Sequence, residues 1–459
     1  MPQDTPTPLI FASISGKNVQ ADFDGGMLPS DGGVVFLRAV EANVGVIQRL
    51  RQALHARRHP SYVEPTYDDL WRQRVFQIAC GYEDANACDT LRHDPAFQAA
   101  CNHLPISGQP LASHSPMTRL ENAARRRDLY RMARALVDTC LASYASAPEA
   151  LLRDIDDPDD PTHGEHQAPW FNAHYRDHCS LPWHIYEGPS GKLLPTILRP
   201  GKRPSGKEMG AILQRLVASI RTRWPQGLLL LRGDSPFSAP EVHDFCDPTG
   251  LYYVLGQSTN DVLHAQAGPL LARAHALYRY DKSRQRAPDR PTKVRRLTSC
   301  AYPAKSWRKP RRIVGQVEMS DQGPHIRFVV SNLPPPRPSG LYDMIYCDRG
   351  RMENFIKNHK TFLLSDRPAC HPFLAHPLRL LLHSAAYGLP QALAEQGLQG
   401  TTGVRAPFNS RQLRRLKGGA KVRELATKIP FHFPTSFPLQ AVYRRLAHPL
   451  VHAVPGHPT

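Results

Sequence analysis

The chain has 459 residues, more than one ordinary core of about 150 residues accommodates, so roughly two to four compact bodies are expected. Lys and Arg number 58 against 40 acidic residues, giving +18 and a pI near 9.7, a balance that favours a polyanionic partner such as nucleic acid and leaves a membrane surface open as the other. The segment MPQDTPTPLIFASISG lacks the basic-then-apolar layout of a secretory signal, no run of about 18 apolar residues occurs, and nine scattered cysteines form no CxxC pair, so a soluble, reduced, cytoplasmic protein without a membrane span is expected.

Residues 1 to about 33 read as extended and loop-rich, with two glycine pairs in FDGGMLPSDGG that mark tight turns rather than a phosphate loop. From about 34 to 149 the apolar spacing is helical, through VVFLRAVEANVGVIQRL, DDLWRQRVFQIACGY and RLENAARRRDLYRMARALVDTCLASYA, the last with a basic triplet at Arg125 to Arg127. Residues 1–150 are therefore expected to form a mainly helical, DNA-binding N-terminal domain. At 151 the texture changes: LLRDID is a short strand, CSLPWHIYEG and GKLLPTILRP a hairpin, GKEMGAILQRLVASIRTRW a helix and LLLLRGDS a buried strand. The helix APEVHDFCDPTG and the strand LYYVLG follow, an α/β order with a partly parallel sheet over 151–257. Residues 258–338 read as a β-rich, charged insertion closed by the stiff linker PPPRP, and 339–400 as helical. The region 401–459 carries ten Lys or Arg and one acid, Glu424, and so supplies nine of the eighteen net charges.

Three acidic positions sit where a rigid element can present a carboxylate to a shared centre. The first is Asp154 or Asp156, which share one face of a strand by its period of two. The second is Asp234, at the C-terminal end of the apolar strand LLLLRG, where open α/β sheets place their ligands. The third is Glu353, inside the helix of YCDRGRMENFIKNHK. On that helix Tyr346, Arg349, Glu353 and Lys360 fall within roughly 60° of one another at about 100° per residue, a stripe that places an acid among two bases and a phenol. Taken alone, such a stripe is most often a solvated face with an i,i+4 ion pair.

The spacing Tyr346, Arg349, Glu353, Lys360 resembles the signature around the catalytic glutamate of a large group of bacterial insertion-sequence transposases. FDGGMLPSDGG, QRVFQIACGYEDANACDTLRHDPAF, DIDDPDDPTHGEHQAPWFNAHY and RGDSPF, spread in order over most of the chain, resemble one branch of it, transposase DDE domain group 1. The resemblance implies an α/β fold with a ribonuclease-H-like catalytic core, interrupted by a β-rich insertion between the second aspartate and the glutamate. It implies catalytic and metal-binding roles for Asp156, Asp234 and Glu353, with Asp154 the rival for first place, and DNA contacts from Tyr346, Arg349 and Lys360. The branch has Thr where this chain has Pro158, just after the first acid. Three converging carboxylates repel, and a hard divalent cation relieves that repulsion, so two Mg²⁺ or Mn²⁺ ions are the implied cofactors. The implied partners are the terminal inverted repeats of a mobile element, target DNA, and a second copy of the chain in the DNA complex. The implied setting is the nucleoid and the implied reaction is cut-and-paste transposition by hydrolysis and strand transfer.

Other readings compete with this one. RGD at 232 to 234 spells an adhesion tripeptide, but it ends an apolar strand. HExxH and clustered His/Cys spacings of a zinc site are absent, and His163 in PTHGEH reads first as a loop hydrogen-bonder. A decayed transposase that only binds DNA, and a stand-alone ribonuclease-H-like nuclease, are the two rivals of different activity.

Overall fold

The computed structural model describes residues 9–55, 65–161, 170–172, 175–284, 292–334, 337–367, 374–401, 403 and 408–452; His163 lies outside them. The first segment forms a hairpin, β1 (Leu9–Ile14) and β2 (Lys17–Ala21), where the sequence reads only as extended loop. Seven helices follow among the described residues: α1 (Val34–Val44), α2 (Val46–Ala53), α3 (Tyr67–Ala79), α4 (Ala87–Leu91), α5 (Pro95–Ala100), α6 (His114–Glu121) and α7 (Arg126–Ala142). Local chemistry starts several of them. Thr66 and Asp69 close a capping box on α3, and Asp94 accepts from the backbone N–H groups of Ala96 and Phe97 at the start of α5.

The middle of the chain is mixed α/β. Its strands and helices run β3 (Ala150–Asp156), β4 (Asp160–Pro161), β5 (Trp170–Asn172), β6 (Asp177–Ser180), β7 (Trp183–Glu187), β8 (Leu193–Ile197), α8 (Gly206–Arg223), β9 (Leu228–Gly233), α9 (Pro240–Thr249) and β10 (Leu251–Gln257). A helix, α10 (Asp261–Ser283), precedes three long antiparallel strands, β11 (Lys293–Tyr302), β12 (Arg311–Ser320) and β13 (Gly323–Ser331). Eight strands form one sheet in the order β11-β12-β13-β10-β9-β3-β7-β8, with β3, β9 and β10 mutually parallel and the rest antiparallel.

This corrects the expectation for 258–338. Its first third is helix rather than strand, and β11 to β13 extend the central sheet through the β10·β13 pairing. Asn260 caps α10 by accepting from the backbone N–H of Leu263, a helix start that the charged sequence beyond it obscures.

Side chains alternate across the sheet with the period of two. Ile155, Ile185, Leu229, Leu231, Tyr253, Leu255, Ile313 and Val330 face one layer, packed with Leu213, Leu216 and Ile220 of α8, Val242 and Cys246 of α9, Leu263 and Ala267 of α10 and Val137 and Leu141 of α7. Leu230, Val254, Val314 and Val329 face the opposite way, against Leu341 and Tyr342. Asp154, Asp156, Arg232 and Asp234 share the parity of Leu152 and Leu230, so they belong to this second face.

From 340 to 362 the backbone is continuously helical but not uniform. It has wide π-type turns at Gly340–Tyr346 and Asn358–Phe362, a tight 3-10 turn at Cys347–Gly350 and regular turns in α11 (Arg351–Lys357). α12 (Ala375–Gly397), α13 (Phe408–Arg415), β14 (Lys421–Val422), β15 (Phe431–His432) and α14 (Gln440–His452) complete the chain.

The chain divides into two compact units, and they do not follow the boundaries expected at 150 and 400. One comprises Met1–Asn43, Val63–Thr118 and Ala392–Thr459; the other comprises Val44–Tyr62 and Arg119–Gln391 and holds the eight-stranded sheet. In the first unit the basic C-terminal region is folded structure. Gly32 and Gly33 donate backbone hydrogen bonds to the carbonyls of Gly418 (2.9 Å) and Leu416 (3.1 Å). Asp31, buried beside them, is ion-paired to Lys417 at 2.7 Å and accepts from the Tyr82 hydroxyl at 2.8 Å. The second glycine pair of FDGGMLPSDGG is thus a seat for residues 415–418. A methyl group on Gly33 would lie 2.0 Å from the Arg415 carbonyl oxygen, and backbone cannot yield as a flexible side chain can. Gly33→Ala is expected to destabilise this unit by about 1–3 kcal/mol, read as a lower midpoint in urea unfolding, with Gly26→Ala, whose added methyl meets nothing within 4 Å, as the control for backbone strain alone.

Candidate active site

Two strands deliver the acids. β3 and β9 pair in parallel with Asp154 opposite Arg232 and Ile155 opposite Gly233, so Asp156 and Asp234 emerge together at the C-terminal edge. Arg349, carried by the tight turn before α11, stands between them: its Nη1 lies 2.8 Å from Asp234 Oδ1 and its Nη2 lies 3.0 Å from Asp156 Oδ2. The Tyr346 hydroxyl donates to Asp234 Oδ1 at 3.4 Å. Glu353, one turn further, is exposed, yet its charge is among those acting on Asp156.

The electrostatics follow from this crowding. Burial pushes the Asp156 carboxyl up to about 6; Arg349 opposes the rise, and Asp234 and Glu353 add to it. Burial together with the Asp156 charge lifts Asp157 to about 7. Burial and the nearby Asp234 push the Tyr346 phenol well up, so it stays a hydrogen-bond donor.

Asp154 is placed differently from Asp156. It is wholly buried and held bidentately by Arg232, with Nε to Oδ1 at 2.6 Å and Nη2 to Oδ2 at 2.8 Å. Arg232 also donates through Nη1 to the Ile345 carbonyl at 2.7 Å and reaches Asp348 at 3.3 Å. One guanidinium therefore joins two strands to the turn that carries Tyr346 and Arg349. Gly188 lets this happen, since a Cβ there would lie 2.4 Å from Arg232 Nη2 and 2.7 Å from Asp154 Oδ2. Sequence reasoning missed Arg232: a cation closing an apolar strand calls for a buried acid beside it, but the strand register that supplies Asp154 is not local.

The expected single stripe on the 340–362 helix is not straight, because the π-type and 3-10 turns change the rotation per residue. Tyr346 and Arg349 reach the strand ends, whereas Lys360 donates to the Asp159 carbonyl and lies 3.4 Å from Asp160 Oδ1. Asp160 is buried, which raises its carboxyl to about 7 against the opposing pull of Lys360.

Hard carboxylate oxygens suit a divalent ion. Asp156 and Asp234 already converge on one cationic group, and in that respect the residues fit such an ion. Among the described residues, no group of three or more His, Cys, Asp or Glu side chains is arranged to hold a metal in this conformation. No helix among them is long and apolar enough to cross a membrane.

Two aspartates thus stand on neighbouring strand ends, joined through Arg349 to the helical stretch that carries Glu353. The family model for transposase DDE domain group 1 matches residues 11–455, and the chain belongs to that family. Membership implies DNA as partner and nuclease-type chemistry, for which DDE transposases generally use divalent metal ions. No curated protein matches the chain.

Arg232→Met would strand the Asp154 charge in the interior, at a cost of about 3–5 kcal/mol. The double variant Asp154→Leu with Arg232→Met is expected to recover most of that loss, as read from urea unfolding midpoints.

Proposed function

We propose that the chain is a cut-and-paste DNA transposase whose eight-stranded sheet contains a ribonuclease-H-like core, and that Asp156, Asp234 and Glu353 are its catalytic acids. The observation that carries the reading is the convergence of Asp156 and Asp234 on Arg349, a residue four positions before Glu353 on the same helical stretch. Asp154 is assigned a positioning role rather than a catalytic one, because both its oxygens are committed to Arg232.

Asp156, Asp234 and Glu353 would hold the divalent ions, Mg²⁺ or Mn²⁺. When bound, these supply the Lewis acidity that activates a water or a 3′-hydroxyl and steadies the leaving oxygen of the phosphodiester. The protein's own contribution is placement. β3 and β9 fix two carboxylates in register, and the Arg232 clamp sets the height of the turn above them. Arg349 and Lys360 place positive charge beside the acids for the DNA backbone, and Tyr346 offers a donor that stays protonated. Pairing of two element ends calls for two copies of the chain in the working complex. The +18 charge suits strong, salt-sensitive DNA association.

The test is cleavage of a labelled duplex carrying the source element's end, with Mg²⁺ or Mn²⁺, by the parent, Asp234→Asn and Glu353→Gln. The parent should nick at the element boundary, and both variants should bind with unchanged salt dependence while cutting slower by on the order of 10²-fold or more. If all three behave alike, the chain binds DNA without cutting it and the mechanism fails.

A further inference from the structure

Arg349 is bound to the acids that a divalent ion would need. Its side chain is 8 % exposed and lies between Asp156 and Asp234 at 3.0 and 2.8 Å. Arg349 takes one oxygen of each carboxylate, Asp156 Oδ2 and Asp234 Oδ1, and so places a positive charge between the two acids that opposes the entry of a second cation there. The guanidinium is also only partly satisfied. Nε and Nη2 are buried without a hydrogen-bond partner, so the contact to Asp156 is a close ion pair and not an aligned hydrogen bond. A planar donor fork with buried, unused N–H groups beside two carboxylates has a natural better acceptor in a phosphate, which takes two parallel N–H donations.

We propose that Arg349 is an exchange residue: in the DNA-free protein it occupies the Asp156–Asp234 pair in place of a divalent ion, and it transfers to a DNA phosphate when the element end binds, opening the pair to metal. This rests on the transposase reading above and adds to it the order of assembly. The exchange needs no net creation of charge at the acids, since one cation leaves as another arrives and the departing guanidinium gains a phosphate. It makes DNA and metal binding mutually reinforcing, and by linkage each ligand raises the affinity for the other by the same factor. The turn that carries Arg349 is held independently through Arg232 and the Ile345 carbonyl, so its side chain can move while the backbone stays. Tyr346, which also donates to Asp234, remains on that carboxylate during the exchange.

The experiment measures Mn²⁺ binding to the full chain by the loss of the free-ion EPR signal. It compares the parent, Arg349→Ala and Arg349→Ala with Asp234→Asn, each with and without a duplex carrying the source element's end. The proposal expects Arg349→Ala to bind Mn²⁺ without DNA on the order of tenfold tighter than the parent, and Asp234→Asn to abolish that gain. It also expects the duplex to tighten Mn²⁺ binding to the parent but to leave Arg349→Ala nearly unchanged. Circular dichroism and melting profiles of the variants exclude misfolding as the cause, because a misfolded chain would not gain affinity. Equal Mn²⁺ affinity of parent and Arg349→Ala without DNA overturns the exchange while leaving the transposase reading intact. Failure of every protein to bind Mn²⁺, with the duplex present, overturns both.

Discussion

The buried pair of Asp154 and Arg232 is the constraint on which the site depends. Two charges taken out of water are costly unless the geometry is good and the remaining donors are satisfied. Here both carboxylate oxygens are met, and the spare nitrogen of Arg232 is directed to the Ile345 carbonyl. Because Asp154 and Arg232 face each other in the parallel register of β3 and β9, the same interaction forbids a one-residue slip of either strand, which would turn a charge into the apolar opposite face. Asp156 and Asp234, two residues further along their strands, inherit this register. Both oxygens of Asp154 are committed to Arg232, and the pair fixes where Asp156 and Asp234 emerge.

Around this fixed frame the site is electrostatically unfinished. Asp156 and Asp157 are both lifted by burial and by acidic neighbours, and among the described residues Arg349 bridges Asp156 and Asp234. Further along, Lys360 is drawn to Asp159 and Asp160, so both basic residues of the tyrosine-arginine-glutamate-lysine spacing are engaged by acids of the same chain. A phosphate backbone that took up these cations would leave the acids to be neutralised by another positive charge.

Much of the central architecture was legible because its signals are local. The LLRDID, LLLLRG and LYYVLG runs are short and apolar and become β3, β9 and β10, and Ser205 with Glu208 marks the start of α8 as a capping box. Asp156 and Asp234 at neighbouring strand ends are legible from the two runs that end in acids, and both meet Arg349. What the sequence hid is non-local. Arg232 reads as the end of a strand until its partner on β3 is known. The stripe on the 340–362 helix assumed a uniform rotation per residue, and the π-type turns break that assumption. Residues 258–283 were read with the charged strands beyond them, although Asn260 and the apolar Leu263 and Ala267 spacing form a long helix. Asp154 and Asp156 share a face, so periodicity could not rank them; only the burial of one and the outlook of the other separates them.

The seating of residues 416–418 on Gly32 and Gly33 has a consequence for how the protein is made. One compact unit is assembled from three stretches of sequence, so the contacts of Gly32 and Gly33 with residues 416–418 join positions far apart along the chain. Such contacts carry a large loop-closure cost and form late. Until residues 416–418 are made, the buried Asp31 lacks Lys417 and the glycine seat stands empty, whereas every strand of the eight-stranded sheet precedes them in the chain. The unit that holds the sheet can therefore close before the other, and a chain cut short of Leu416 would keep Asp156 and Asp234 on their strands while the other unit lacks the segment that seats on Gly32 and Gly33.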